Sequence, residues 1–295
     1  MMKHAIVRTI IVAIWLLTLG WLIRFEAFPE YFTRVLDGYK GLVGHDILVS
    51  DSWMKILHND APVGYTHAHM DIVESDPVKR YQLTYDTYLT LDIAGIKQYI
   101  NMSMESYLDE MYNLQEFKLS ASLQGLLINV KGSRGSGNTY VVHIDAGSLH
   151  SKQLYKIPEG VVLYSPMTEL NIHKLKPGQQ ITVLTFDPIS LSRISINIRA
   201  IRQEQIHIDG ITYDATLLIA EYQGTQMSSW VNEKDGVLKQ VTPWGWTLIR
   251  CSPEEATVST FKPDNNSRSK HKTNTSLTND LLRQLVLPNN ARDVL

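Results

Sequence analysis

Residues whose types and spacing bear on chemistry are few in this chain. His67 and His69 stand two apart, which on a strand puts both imidazoles on one face, and His58 lies across a proposed hairpin from them. Three imidazole nitrogens so disposed suit zinc or copper, so a three-nitrogen metal site is within geometric reach. With no fixed carboxylate or cysteine evident nearby, polar surface is the expected role, and no metal or cofactor is expected. Cys251 is the single cysteine. It closes an apparent strand from Trp246 to Arg250, with Ser252-Pro253 behind it, and no base pairs with it in the sequence, so an inert thiol is expected.

Gly132-Ser133-Arg134-Gly135-Ser136-Gly137-Asn138 is glycine-rich but lacks the G-K-[ST] ending of a phosphate loop, and it reads as a hairpin tip. Trp244-Gly245-Trp246 offers a stacking platform for sugars or lipid headgroups, although a corner packing two indoles into the core is the stronger expectation. Met70, Met102, Met104, Met111, Met167 and Met227 are pliable fillers that would suit an apolar cavity, with ordinary core use expected first. No catalytic residues emerge, and the chain is read as a non-enzyme.

The elements that must position these residues are mostly strands. From Tyr81 to Ile93 the odd positions are Tyr81, Leu83, Tyr85, Thr87, Leu89, Leu91 and Ile93, against Gln82, Thr84, Asp86, Thr90 and Asp92. Period two predicts a strand. After Ala94-Gly95 the alternation restarts with Ile96, Gln98, Ile100, Met102, Met104 and Leu108 on one face, giving a long hairpin. A third run places Phe117, Leu119, Ala121 and Leu123 inward and Glu116, Lys118, Ser120 and Ser122 outward. Ile194, Ile196 and Ile198, then Tyr213, Ala215, Leu217 and Ile219, repeat the pattern, with Asp209-Gly210 and Asp235-Gly236 as two-residue turns. Strands this long must twist and curl. Ser165-Pro166-Met167-Thr168-Glu169-Leu170, ending near Pro177-Gly178, predicts one short helix.

The amino end differs in kind. Thr9 to Ile23 carries no charge, and Ala5 to Ile23 is long enough for a spanning helix if Arg8 snorkels. Arg24-Phe25-Glu26-Ala27 gives a poor cleavage flank, so an uncleaved signal anchor is expected. Trp21, Phe25, Phe28, Tyr31 and Phe32 fall where an aromatic belt would meet headgroups. The 295 residues then divide into an anchor and juxtamembrane segment (1–45), an extracytoplasmic β-domain (46–258), and a polar linker with a short helical tail (259–295). A net charge of −2 offers no basic surface for nucleic acid, and that class is set aside. The lone cysteine excludes an intrachain disulfide without fixing the side of the membrane.

Trp53-Met54-Lys55-Ile56-Leu57-His58-Asn59-Asp60-Ala61-Pro62-Val63-Gly64-Tyr65-Thr66-His67 resembles the opening of a β-rich region in exported bacterial proteins, where it precedes a transglutaminase-like core. Ile208-Asp209-Gly210-Ile211-Thr212-Tyr213 and Trp230 to Leu238 look like late hairpins of that region. The resemblance spans Ser52 to Glu255, and it implies a curled half-barrel similar to lipoprotein-carrier proteins. Asp60 stands where a turn glycine is expected, and the sequence stops where the Cys-His-Asp core would begin. The resemblance therefore implies the accessory half without the enzyme.

The fold expected is all-β: a long, curled antiparallel meander, half-barrel-like, with one short helix and an N-terminal transmembrane helix. Its apolar face (Leu83, Tyr85, Leu89, Ile100, Met102, Met104, Phe117, Leu119) is the expected binding surface for an amphiphilic, lipid-like ligand. The expected location is the inner membrane, single-pass, with the body in the periplasm. The alternative is a scaffold subunit of an envelope complex, docking a partner protein through Asp280, Leu281, Leu282 and Leu285.

Overall fold

The computed structural model describes residues 2–22, 34–35, 38–43, 51–74, 76, 78–93, 96–123, 125–163, 172, 175–188, 190–222 and 224–258. The helix expected at Ser165 to Leu170, the turn Ala94-Gly95 and the tail residues Asp280, Leu281, Leu282 and Leu285 lie outside the described residues.

Strands dominate, as the period-two runs require. In chain order β2 (Asp51–His58), β3 (Ala61–Ile72), β4 (Tyr81–Ile93), β5 (Ile96–Leu108), β6 (Leu114–Leu123), β7 (Leu126–Arg134), β8 (Thr139–Ala146) and β9 (Leu149–Lys156) form one antiparallel meander. A second meander comprises β11 (Gln180–Asp187), β12 (Ser192–Ile208), β13 (Ile211–Tyr222), β14 (Thr225–Asn232), β15 (Gly236–Val241) and β16 (Trp246–Arg250). The two join where β16 pairs antiparallel with β2, so the later meander precedes the earlier one across a single sheet. The short β1 (Arg34–Val35) and β10 (Val162–Leu163) add parallel pairing to β11. The path runs from β1 to β9.

The sheet curls around its apolar face. Phe186 on β11 meets Phe117 on β6 at 6.0 Å and Tyr155 on β9 at 6.3 Å between ring centroids. Strands remote along the sheet therefore touch across its interior. Met54, Ile56, Met70, Met104, Leu108, Phe117, Leu119, Val183, Phe186 and Ile196 fill that interior as one continuous core. Burial of such side chains contributes roughly 1.5–3 kcal/mol each, which is what holds strands of this length in a curl. Gly132 makes room for it: a Cβ there would run into the Phe117 ring.

Tyr39 enters the interior from outside the sheet. The short helix α2 (Gly38–Val43) inserts Tyr39, 2% exposed, whose hydroxyl donates to Ser106 Oγ on β5 at 3.1 Å and accepts from Leu163 N at 2.9 Å. Burial pushes the Tyr39 pKa up to about 12, and these two hydrogen bonds only partly oppose it, so the phenol stays protonated.

The β4–β5 hairpin matches the expected boundaries, with Ile93 opposite Ile96. Other expectations need correction. Asp235-Gly236 is not a two-residue turn: Asn232 pairs with Gly236 around a three-residue loop, Asn232 Oδ1 caps Asp235 N, and Gly236 takes a positive φ of 73°. At the first hairpin, Asn59 and Asp60 hold φ of 50° and 63°, so a left-handed Asp serves where glycine was expected. The face Tyr213–Ala215 does not join the main core. Both faces of β13 are buried: Leu218 and Ala220 line the interior, while Ala215 packs with Ile208 and Leu238, flanked by Tyr213, Trp230 and Ile249, on the opposite side. A bulge at Ala200/Arg202 lets the long β12–β13 hairpin bend this way, and its tip residue Asp209 meets Lys55 Nζ of β2 at 2.9 Å.

The amino end is helix α1 (Met2–Leu22), whose Ile10, Ile11, Val12, Ile14, Leu16 and Leu17 side chains are exposed. Among the described residues, no helix is long and apolar enough to cross a membrane. The expected transmembrane segment, Ala5 to Ile23, is helical through Leu22, and Ile23 lies outside the described residues. A third helix, α3 (Pro253–Val258), follows β16, with Ser252 Oγ capping Glu255 N.

Candidate functional site

Alternation along β2, β3 and β4 sends every second side chain to the outer face, and the ladder register decides which of them meet. Three cross-strand rows result: Asp51–His69–Thr84, Trp53–His67–Asp86 and Lys55–Tyr65–Tyr88. The middle row sets a carboxylate directly opposite His67, and His69 is one step along on the same face. One ligand atom each from His67, His69 and Asp86 lies within 4.8 Å of the others.

The rings stack into a continuous ladder. Trp53 lies 3.9 Å from His67 at 16° between planes, and His67 lies 4.8 Å from His69 at 19°. Tyr65 adds to Trp53 at 5.7 Å and to Tyr88 at 4.9 Å. This stacking shields the imidazoles although they stand on the outer face, leaving the His67 side chain 18% exposed and that of His69 28%. Burial, with the neighbouring Tyr88 and the Asp86 charge, also raises the Tyr65 pKa and keeps it a neutral phenol.

Each imidazole is oriented by a carboxylate on the same nitrogen. His67 Nε2 lies 2.6 Å from Asp51 Oδ1, and His69 Nε2 lies 3.3 Å from Asp71 Oδ2. In a neutral ring so held, the proton sits at Nε2 and Nδ1 keeps its lone pair. His69 Nδ1 is buried without a hydrogen-bond partner among the described residues, and so is Oγ1 of Thr84, its cross-strand neighbour. Two adjacent buried polar atoms without partners are costly by about 1–3 kcal/mol each.

The three histidines named as a candidate set are not brought together. His58 ends β2 five residues beyond Trp53, about 17 Å along the strand at ~3.4 Å per residue. It packs instead on Trp246, 5.0 Å between centroids. The carboxylate that completes the group is Asp86, which the sequence showed only as one polar member of an alternating strand.

The other candidates resolve plainly. Cys251 is half-buried, burial raises its thiol pKa, and Sγ lies 3.7 Å from the Trp53 carbonyl oxygen, so it is held as a thiol. The glycine-rich run is the β7–β8 tip, closed by Gly135 N to Thr139 O at 2.7 Å and by Arg134 donating to the Gly137 carbonyl and to Asn138. Of the two indoles, Trp246 packs inward and Trp244 is exposed, so the corner buries one ring and not two. On the apolar face Leu83, Leu89, Met104, Phe117 and Leu119 are buried, while Tyr85, Ile100 and Met102 are half-buried and packed against the same core.

No family model matches the chain, and no curated protein matches it. Among solved structures it is similar to a beta-barrel-like protein of domain of unknown function DUF1849 from Brucella abortus, at 8% identity and a TM-score of 0.44, covering 68% of this chain and 95% of that one. It is also similar to a DUF1089 family protein from Pseudomonas aeruginosa, at 14% identity and a TM-score of 0.30, covering 58% of this chain and 87% of that one. Neither is described as transglutaminase-like, and at these values neither likeness carries an inference about what this chain does.

Proposed function

We propose that this chain is a membrane-tethered, non-enzymatic binding module of the bacterial envelope, whose curled sheet takes an amphiphilic, lipid-like ligand against its inner face. The observation that carries the reading is the way the interior is filled. Its core is continuous and mainly apolar, lined by pliable Met54, Met70, Met102, Met104 and Met227, and Tyr39 enters it from a six-residue helix outside the sheet. Methionine-lined surfaces repack at low cost around different apolar shapes. Tyr39 offers a ring among those side chains and a hydroxyl at Ser106, which is how a small amphiphile with one polar end would sit. The ligand displaces this plug, and the face named from the sequence receives its apolar part.

The tether is supported by α1. Its exposed apolar side chains cover all sides of the helix, and apolar surface of that extent is covered in water by a lipid layer or a partner. Attachment there keeps the body at the membrane surface, where amphiphiles are met.

The test is lipid extraction and native mass spectrometry of the full chain purified in detergent, alongside Tyr39→Ala. The expected result is a co-purifying amphiphile whose occupancy rises in Tyr39→Ala, because the variant vacates the plug position. Absence of any amphiphile from both proteins, with Tyr39→Ala folded, would overturn the reading.

A further inference from the structure

We propose that His67, His69 and Asp86 form a site for a divalent transition metal of the zinc class on the outer face of the sheet. The site is independent of the ligand reading of the inner face, since it stands on the opposite side of the same strands.

The donor set is two imidazoles and one carboxylate, the composition that zinc takes when three protein ligands leave a fourth position for water. Its atoms already converge, lying within 4.8 Å of one another. Donors around zinc at about 2.0–2.2 Å stand somewhat closer together than that, so small rotations about the side-chain torsions complete the approach. The backbone need not move, because the β3–β4 register holds His67 opposite Asp86.

Two further features point to a metal rather than to an ordinary polar surface. The first is the pairing of carboxylates behind both ligands: Asp51 on His67 Nε2 and Asp71 on His69 Nε2. A carboxylate holding the far nitrogen orients the ring and raises its basicity, the arrangement usual behind metal-bound histidines. Both rings are thereby left to ligate through Nδ1. The second is that the Nδ1 of His69 is an orphan, buried without a partner among the described residues. A metal satisfies it. The neighbouring orphan Thr84 Oγ1 is placed to accept a hydrogen bond from a water in the fourth position.

Charge agrees. Asp51, Asp71 and Asp86 bring three carboxylates around two imidazoles, and among the described residues no lysine or arginine forms an ion pair with any of them. A divalent cation offsets that excess.

The experiment is zinc titration of the tag-free full chain in detergent after chelator treatment, read by calorimetry, with cobalt as a spectroscopic probe of tetrahedral geometry. One equivalent is expected to bind wild type. Asp86→Asn and His69→Gln, which keep size and fold, are expected to lose affinity by more than the about 10–100-fold typical of altering a supporting residue, and Asp51→Asn to lose about that much. His58→Ala is expected to bind as wild type. Failure of the wild type to bind one equivalent, or undiminished binding by folded Asp86→Asn, would overturn the proposal.

Discussion

Two polar clusters stand side by side on the outer face of one sheet, and they are finished differently. One cross-strand row, His69–Thr84–Glu105–Lys118–Lys131, passes through both. At its lysine end the charges answer one another. Glu116, although its alternation predicts a wetted position, is 8% exposed and held by Lys79 Nζ at 2.7 Å and Lys131 Nζ at 3.4 Å. Lys118 Nζ lies 3.3 Å from Glu105 and 4.8 Å from the centre of the Tyr107 ring, and the Tyr107 hydroxyl donates to Glu105 at 2.7 Å. At its histidine end the carboxylates outnumber their partners and two buried atoms have none. Similar residue types on the same pleated surface thus give a closed structural network in one place and an open coordination set in the other. What separates them is whether donors and acceptors are exhausted.

The largest effect that probes this contrast is at Glu116. Glu116→Ala leaves Lys79 and Lys131 facing each other without an anion, and it is expected to destabilise the fold by about 2–3 kcal/mol, read from the urea midpoint. A loss below about 1 kcal/mol would make the two clusters alike. The same carboxyl carries a pH signature. Burial pushes its pKa up, but the hydrogen bond and charge of Lys79, with Lys131, outweigh burial and hold it below the ordinary 4.5. A carboxylate lowered on folding stabilises fully above its unfolded value, and that contribution is lost as pH falls below about 4.5 toward the folded pKa. Melting temperature should therefore decline over that window in wild type and less steeply in Glu116→Gln.

Next in size is the stabilisation that zinc confers. At a concentration one hundred times the dissociation constant, a ligand bound only by the folded state contributes about 2.7 kcal/mol. Wild type is expected to melt higher with zinc by the corresponding amount, and Asp86→Asn to show no shift. An equal shift in both proteins would place the metal elsewhere and erase the contrast. Tyr107→Phe comes third, expected to cost about 1 kcal/mol through its lost hydrogen bond to Glu105, while the ring under Lys118 persists.

These contrasts also mark how far the sequence can be read. The β4–β5 hairpin was legible because thirteen residues of strict alternation on each side of Ala94-Gly95 allow one register. The pairing of His67 with His69 was legible for the same local reason. Asp86 was not, because its place opposite His67 depends on the β3–β4 register, and eight residues, 73–80, separate those strands in the sequence. His58 attracted attention because the Asn59-Asp60 turn makes its hairpin visible, while its distance along β2 only becomes decisive once His67 is seen opposite Trp53. Tyr39 is beyond any local pattern: its partners are Ser106 and Leu163. The adjacency of β16 and β2, which joins the two meanders into one sheet, is equally non-local.

The smallest effect is the most discriminating. Thr84 Oγ1 is buried without a partner among the described residues, so Thr84→Val, which replaces that hydroxyl with a methyl group of similar size, removes a desolvated polar atom at no cost in packing. In a purely structural surface the variant should be more stable by about 0.5–1 kcal/mol, and nothing else should change. If the hydroxyl instead positions a water on a metal held by His67, His69 and Asp86, the same variant is more stable without zinc yet binds zinc more weakly. The two readouts then move in opposite directions. Opposed signs are the mark of a residue kept for a site rather than for the fold, because stability given up in the metal-free state is recovered only when the ion binds. Parallel changes in stability and zinc affinity, or a destabilised Thr84→Val, would remove the distinction between the two ends of the row.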